Sequence, residues 1–97
     1  MRDITYEWNS RKASENARKH GVSFDEAKSA FLDENARLIV DDEHSGDEDR
    51  FILLGLSVQL RLLVVVHCYR ESDNVIRIIS ARKADRYERR QYSEYLS

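Results

Sequence analysis

Ile4, Tyr6 and Trp8 alternate with polar positions, the period-two pattern of a short strand. Asn9 then stands where an N-cap belongs, and Gly21 where a helix closes in the left-handed conformation. A first helix is therefore expected from Asn9 to about His20. Ser23-Phe24-Asp25-Glu26 has the spacing of a capping box, with Val22 and Ala27 placed as a small hydrophobic staple. It opens a second helix expected to end near residues 32–34. From residue 37 onward the signals are strands. A short apolar segment covers 37–40, and residues 51–58 and 62–70 are rich in Leu, Ile and Val. Few residues separate the last two runs, so a tight antiparallel hairpin joins them. The turn cluster Glu71-Ser72-Asp73-Asn74 leads into a fourth run at 75–81. Residues 82–96 change to a charged helical pattern with Ala84, Tyr87 or Glu88, Gln91 and Tyr95 on one face. Two helices, a strand meander and a closing helix make an α+β fold around a small, mostly antiparallel sheet.

The same alternation orients the polar strand residues. Along 61–70, Arg61, Leu63, Val65, His67 and Tyr69 share one face, and Leu62, Val64, Val66, Cys68 and Arg70 the other. In the next strand, strict alternation groups Arg77 with Val75 and Ile79, and Ser80 and Arg82 with Ile76 and Ile78. Arginine and histidine thus occupy positions that pattern alone would make apolar. An unpartnered buried guanidinium is costly, so these residues either pair with acids such as Glu48, Asp49 or Glu88, or line a wet cleft. In the second case His67, Arg70, Arg77 and Arg82 form an anion site containing a titratable group suited to acid–base work. Lys12, Arg18, Lys19 and the basic last helix, including Arg86, are either a solvated face or a track for an RNA backbone. Tyr87, Tyr92 and Tyr95 stand nearby for base stacking. His20 reads most simply as a group compensating a helix C-terminus.

Composition narrows the classes. The chain has 97 residues, enough for one domain spanning 1–97. It is 41% hydrophobic and 35% charged, with no Pro. No stretch approaches the roughly 18 apolar residues of a membrane span, and the N-terminus has no apolar run of a signal peptide. The single cysteine, Cys68, lies in an apolar run and reads as a buried, inert thiol, which fits a reducing cytoplasm. Net charge is −2 but segregated. Residues 41–49 hold Asp41, Asp42, Glu43, Asp47, Glu48 and Asp49 without Lys or Arg, whereas 76–90 hold Arg77, Arg82, Lys83, Arg86, Arg89 and Arg90 against Asp85 and Glu88. Such a local field serves an anionic ligand at near-neutral total charge. His20, His44 and His67 match no metal-ligand spacing, the acidic run lacks EF-hand spacing, and no nucleotide or hydrolase motif occurs. No metal or other cofactor is expected.

The segment Trp8-Asn9, Lys12, Asn16, Lys19-His20-Gly21-Val22, Phe24 and Glu26-Ala27 resembles the opening of BrnT-type toxins of bacterial type II toxin–antitoxin systems. The likeness continues through His44, Glu48 and Arg50, through 61–67 with Arg70, and through Arg77-Ile78-Ile79-Ser80-Ala81-Arg82, Ala84, Glu88 and Tyr92. It implies a compact fold similar to RelE-type ribonucleases, with RNA cleavage that arrests translation. It also implies a BrnA-like antitoxin forming a heterotetramer that contacts DNA only through the antitoxin. By position, Arg77 and Arg82 become the catalytic candidates, with Arg70 and His67 beside them and Lys19, Arg86 and Tyr92 as RNA contacts. Tyr92 and Glu48 stand in reserve for acid–base work. The rival expectation is a non-catalytic module whose arginines bind a partner protein. Against the family pattern, Asn9 replaces a more usual Asp, and the turn Val58-Gln59-Leu60 lacks a glycine before Arg61.

Overall fold

A computed structural model describes residues 3–44, 46, 48–70 and 74–96, the side chain of His44 excepted. Asp47 of the acidic run and residues 71–73 of the expected turn lie outside the described residues. Strand β1 (Thr5–Glu7) is followed by helices α1 (Ser10–His20) and α2 (Phe24–Ala30). Strands β2 (Arg37–Val40), β3 (Phe51–Leu56), β4 (Leu62–Arg70) and β5 (Val75–Lys83) come next, and α3 (Arg86–Leu96) closes the chain. The five strands form one sheet in the order β1-β5-β4-β3-β2. All neighbours are antiparallel except β1 and β5, which run parallel. The α+β architecture is therefore as the pattern predicts.

Local chemistry explains the helix ends. The Asn9 side chain accepts from the Lys12 N–H at 3.0 Å, and Gly21 closes α1 at φ 70° with its N–H donating to Ala17 O. Ser23 caps α2 by accepting from the Glu26 N–H at 3.0 Å. Glu26 does not reciprocate. Its carboxylate instead accepts from Ser57 and from the Arg61 guanidinium, which also donates to Gly21 O. One buried carboxylate thus ties α2 to the β3–β4 turn and to the end of α1, and the Arg61 hydrogen bonds hold it below the usual carboxylate range.

α1 and α2 cover one face of the sheet. Val22, Phe24, Ala27 and Ala30 pack there against Leu53, Leu63, Val65, Ile76, Ile78 and Ala81. The approach of α2 is close enough to demand a glycine in β3: a Cβ at Gly55 would stand 2.8 Å from Ala30 O. Buried Asn16 seals the edge of β5, accepting from the Ala81 N–H and donating to the Ala81 and Val22 carbonyls. The opposite face is thinly covered. There Leu54, Val64 and Ala84 pack with Ile52, Leu62 and Tyr92, and no residue of α3 is fully buried. The packed stripe of α3 runs through Tyr92, while Tyr87 and Tyr95 are exposed, which corrects the face expected from the sequence. Asp85 and Glu88 cap α3 reciprocally, each side chain accepting from the other's N–H at 2.8 Å. In the β3–β4 turn, Leu60 adopts φ 61°, the left-handed conformation that a glycine would take without strain.

Candidate functional site

An irregularity in β5 decides where its charges point. Val66 pairs with Ser80 and His67 with Ile78, so Ile79 has no partner on β4. A bulge of this kind sets two residues against one and shifts side-chain parity along the strand. Upstream, Arg77 stands opposite Cys68; downstream, Arg82 stands opposite Val64. Cys68, Val66 and Val64 share one face of β4, so Arg77, Ser80 and Arg82 share it as well. Strict alternation separates Arg77 from Ser80 and Arg82. The bulge corrects that expectation and gathers them, with Arg70, on the thinly covered α3 face.

Each arginine is held by a carboxylate. Arg77 donates to Glu7 at 2.8 Å and Arg70 approaches the same oxygen at 3.6 Å, so Glu7 on β1 draws the two together. Arg82 makes a two-pronged pair with Glu88, both contacts at 2.8 Å. This pairing raises the pKa of Arg82 and lowers that of Glu88. The guanidiniums are therefore fixed in direction yet partly exposed, about a third or more of each side chain reaching solvent. Cys68 and Val64 are four residues apart on β4, so Arg77 and Arg82 stand on the order of 13 Å apart at ~3.3 Å per residue. Arg70 and Arg77 form one cationic point and Arg82 a second. Beside Arg82 lies a cleft of about 370 Å³ lined also by Arg50, Ser80, Val66, Asp41 and Glu43. Glu48 hydrogen-bonds the Cys68 thiol close to Arg70 and Arg77. Burial first, and Glu48 second, push that thiol up and leave it inert.

His67 is not among them. It is 0% exposed and faces α1 and α2 on the other side of the sheet. Phe31 packs edge-on at 4.8 Å and Tyr69 at 5.3 Å, with Phe51 alongside. Its Nδ1–H donates to Val65 O at 3.1 Å, so Nε2 accepts from the Tyr69 hydroxyl at 3.4 Å. Burial lowers its pKa and keeps it neutral. The expectation of one site joining His67 to the arginines is not met: a phosphate on the α3 face is separated from it by the sheet.

Tyr92 is held too. Its hydroxyl donates to Asp33 at 2.5 Å, and burial together with that carboxylate pushes it up to about 12, so it is a poor base near neutrality. Lys19 is exposed on α1, across the sheet from the arginines, and Arg86 is exposed in the first turn of α3. Glu7 and Arg50 receive no site role from the sequence, Arg50 entering only through the family likeness. Glu7 was legible only as the neighbour of Tyr6 in an alternating strand, and its parallel register opposite Arg77 is a long-range fact.

Residues 8–88 match the family model described as the ribonuclease toxin, BrnT, of a type II toxin–antitoxin system. Among solved structures, the chain resembles the 1.1 Å crystal structure of the Brucella abortus ribonuclease toxin, BrnT, with a TM-score of 0.63 and 19% identity. That likeness covers 89% of this chain and 100% of the Brucella chain, and it supports the fold. No functionally curated protein matches the sequence. With the family model spanning most of the chain, and the sheet and helices arranged as described, this protein belongs to the BrnT family of type II toxin–antitoxin ribonuclease toxins.

Proposed function

We propose that this chain is an endoribonuclease that cleaves RNA by metal-independent phosphodiester transfer, arresting translation until a cognate antitoxin neutralises it. The observation that carries this reading is the bulge at Ile79, which brings Arg77 and Arg82 to the open face that Arg70 already occupies, in a chain of this family. Two cationic points on the order of 13 Å apart, from four residues at ~3.3 Å each, grip more than one phosphate of a strand. Arg70 and Arg77 surround the scissile phosphate, and Arg82 with Arg50 holds a neighbouring one in the cleft. In the transfer the ribose 2′-hydroxyl gives its proton to a base and its oxygen bonds to the adjacent phosphorus. The bond from phosphorus to the 5′-oxygen breaks, and that oxygen takes up a proton, leaving a cyclic phosphate on the other fragment. The guanidiniums stabilise the charge that builds on the phosphoryl oxygens. Glu48, beside Cys68 and the Arg70/Arg77 pair, is the carboxylate we assign as base, in place of His67. Arg86, exposed in the first turn of α3, extends the contact with RNA from outside the catalytic cluster, and Lys19, on the opposite face, meets RNA where the strand passes around the sheet.

A second reading has its own observation: Arg70, Arg77 and Arg82 are all paired with Glu7 or Glu88, as in a purely structural network or a protein-binding patch. Induced expression separates the two. Growth arrest with fragmentation of total RNA, and cleavage by purified protein that persists in EDTA, is the expected result. Normal growth and intact RNA from soluble, folded protein would favour the interaction module.

A further inference from the structure

Among the described residues, β2 is an edge strand with no strand paired on its outer side. Leu38, Ile39 and Val40 are 50%, 53% and 54% exposed, a run of three apolar residues open on both faces of the sheet. Edges of this kind are usually blunted by charge, Pro or a bulge; Arg37–Val40 is short, has no Pro, and carries its one charge, Arg37, at its start, leaving Leu38, Ile39 and Val40 without one. The Asp41 N–H donates to Arg50 O at 2.8 Å, so by alternation Arg37 and Ile39 also bond toward β3. Leu38 and Val40 therefore turn their N–H and C=O groups outward, two donors and two acceptors in strand register.

Grooves flank this edge on both faces. On the α1/α2 side, Leu38, Phe51 and Tyr69 line a hollow of about 440 Å³. On the α3 side, Ile39, Leu54 and Gln91 line a smaller one of about 120 Å³. A free backbone edge with side-chain pockets alternating above and below is the arrangement that receives an added strand. Its charge surroundings define the occupant. Exposed Glu34 precedes the strand, Asp42 and Glu43 follow it, and Asp49 lines the larger hollow. Arg37 is engaged over the Tyr95 ring at 4.8 Å. A second copy of this chain is disfavoured. Two-fold antiparallel pairing of β2 about Leu38 would set Asp42 against Glu34 and Glu43 against Asp33 of the other copy, like charges face to face, and pairing about Ile39 would leave Asp42 and Glu43 opposite Ala36 and Asn35 with no base to neutralise them.

We propose that the β2 edge is the strand-addition site for the antitoxin. An extended segment with apolar residues at alternate positions and Lys or Arg at its ends pairs with Leu38 and Val40. It neutralises the acidic flanks, and its continuation past Val40 runs to Asp41 and Glu43 at the mouth of the Arg82 cleft. The inference rests on the toxin reading above and names the surface through which that toxin is held.

The test uses the full chain and the protein encoded by the adjacent reading frame. Val40→Pro removes one outward N–H at an edge position that tolerates proline. It should weaken binding at least tenfold while RNA cleavage by free toxin is unchanged. Asp42→Lys/Glu43→Lys, which leaves the backbone intact, should weaken it too, chiefly by slowing association at low salt. In hydrogen exchange, the Leu38 and Val40 amides should gain protection in the complex. If both variants bind like wild type and those amides exchange as in free protein, the edge assignment is overturned and the toxin reading stands. Failure of wild-type protein to bind its neighbour at all overturns both. A self-dimer that Val40→Pro dissociates overturns the assignment in favour of a second copy.

Discussion

The two faces of the sheet are built from the same five strands and differ in almost everything else. The α1/α2 face is dry: small residues let the helices approach closely, and the polar groups that enter it (Asn16, Glu26, His67) are all hydrogen-bonded. The α3 face carries the arginines, its covering helix buries no residue fully, and its charges are paired but wet. On the first face a polar side chain serves packing; on the second, packing leaves charge available. Polarity alone therefore says little about chemistry until the face is known.

The sharpest way to break this contrast is a rate measurement. Arg77→Ala and Arg82→Ala should each lower RNA cleavage a hundred- to thousandfold, about 2.7–4 kcal/mol by analogy with lost oxyanion-hole donors. Circular dichroism should stay unchanged, because both ion pairs are partly exposed and contribute little to stability. His67→Phe, in the same assay, should cleave at the wild-type rate per folded molecule. The reverse ranking would put the chemistry on the helix side.

The next effect belongs to the dry face. Gly55→Ala should destabilise the protein by about 1–3 kcal/mol, because its Cβ meets the Ala30 carbonyl at 2.8 Å and α2 must shift. Urea denaturation checks this, with unaltered cleavage at low temperature.

A smaller effect depends on pH. The folded-state pKa of His67 is lowered below 6.5, so the unfolded chain binds the extra proton. Its contribution is fully present above pH 6.5 and is lost as pH falls from there toward the folded-state value. Stability measured from pH 7.5 to 5 should decline in wild type and decline less in His67→Phe. Equal slopes would mean that another group titrates in that window. The smallest change is in the turn: Leu60→Asn should stabilise by about 1 kcal/mol by easing the positive φ of an exposed residue, read as a higher denaturation midpoint.

Much of the fold was legible because its signals are local. The Asn9 and Ser23 caps, Gly21, and the strands 37–40 and 62–70 all lie where short-range pattern puts them. The sequence also placed His67 with Leu63 and Val65, opposite Arg70. What it lacked was which of those faces the helices would cover. The bulge at Ile79 left no local trace, since Arg-Ile-Ile-Ser-Ala-Arg alternates no better with one parity than with another. Glu7 and Arg50 join the site through pairing of distant segments, which no window of neighbouring residues contains. Tyr92 was legible as an aromatic on a basic helix, but its bond to Asp33 was not.

The unpaired Ile79 acts on β5 as a reading frame acts on a message. Residues before and after it are read in opposite phase, and the meeting of Arg77 and Arg82 on one face depends on that one offset. Substitutions in 78–81 change single side chains, whereas losing or gaining one residue there would turn Arg82 toward the core and Ala81 toward solvent. Conserving the length of this segment matters more than conserving any one of its apolar residues.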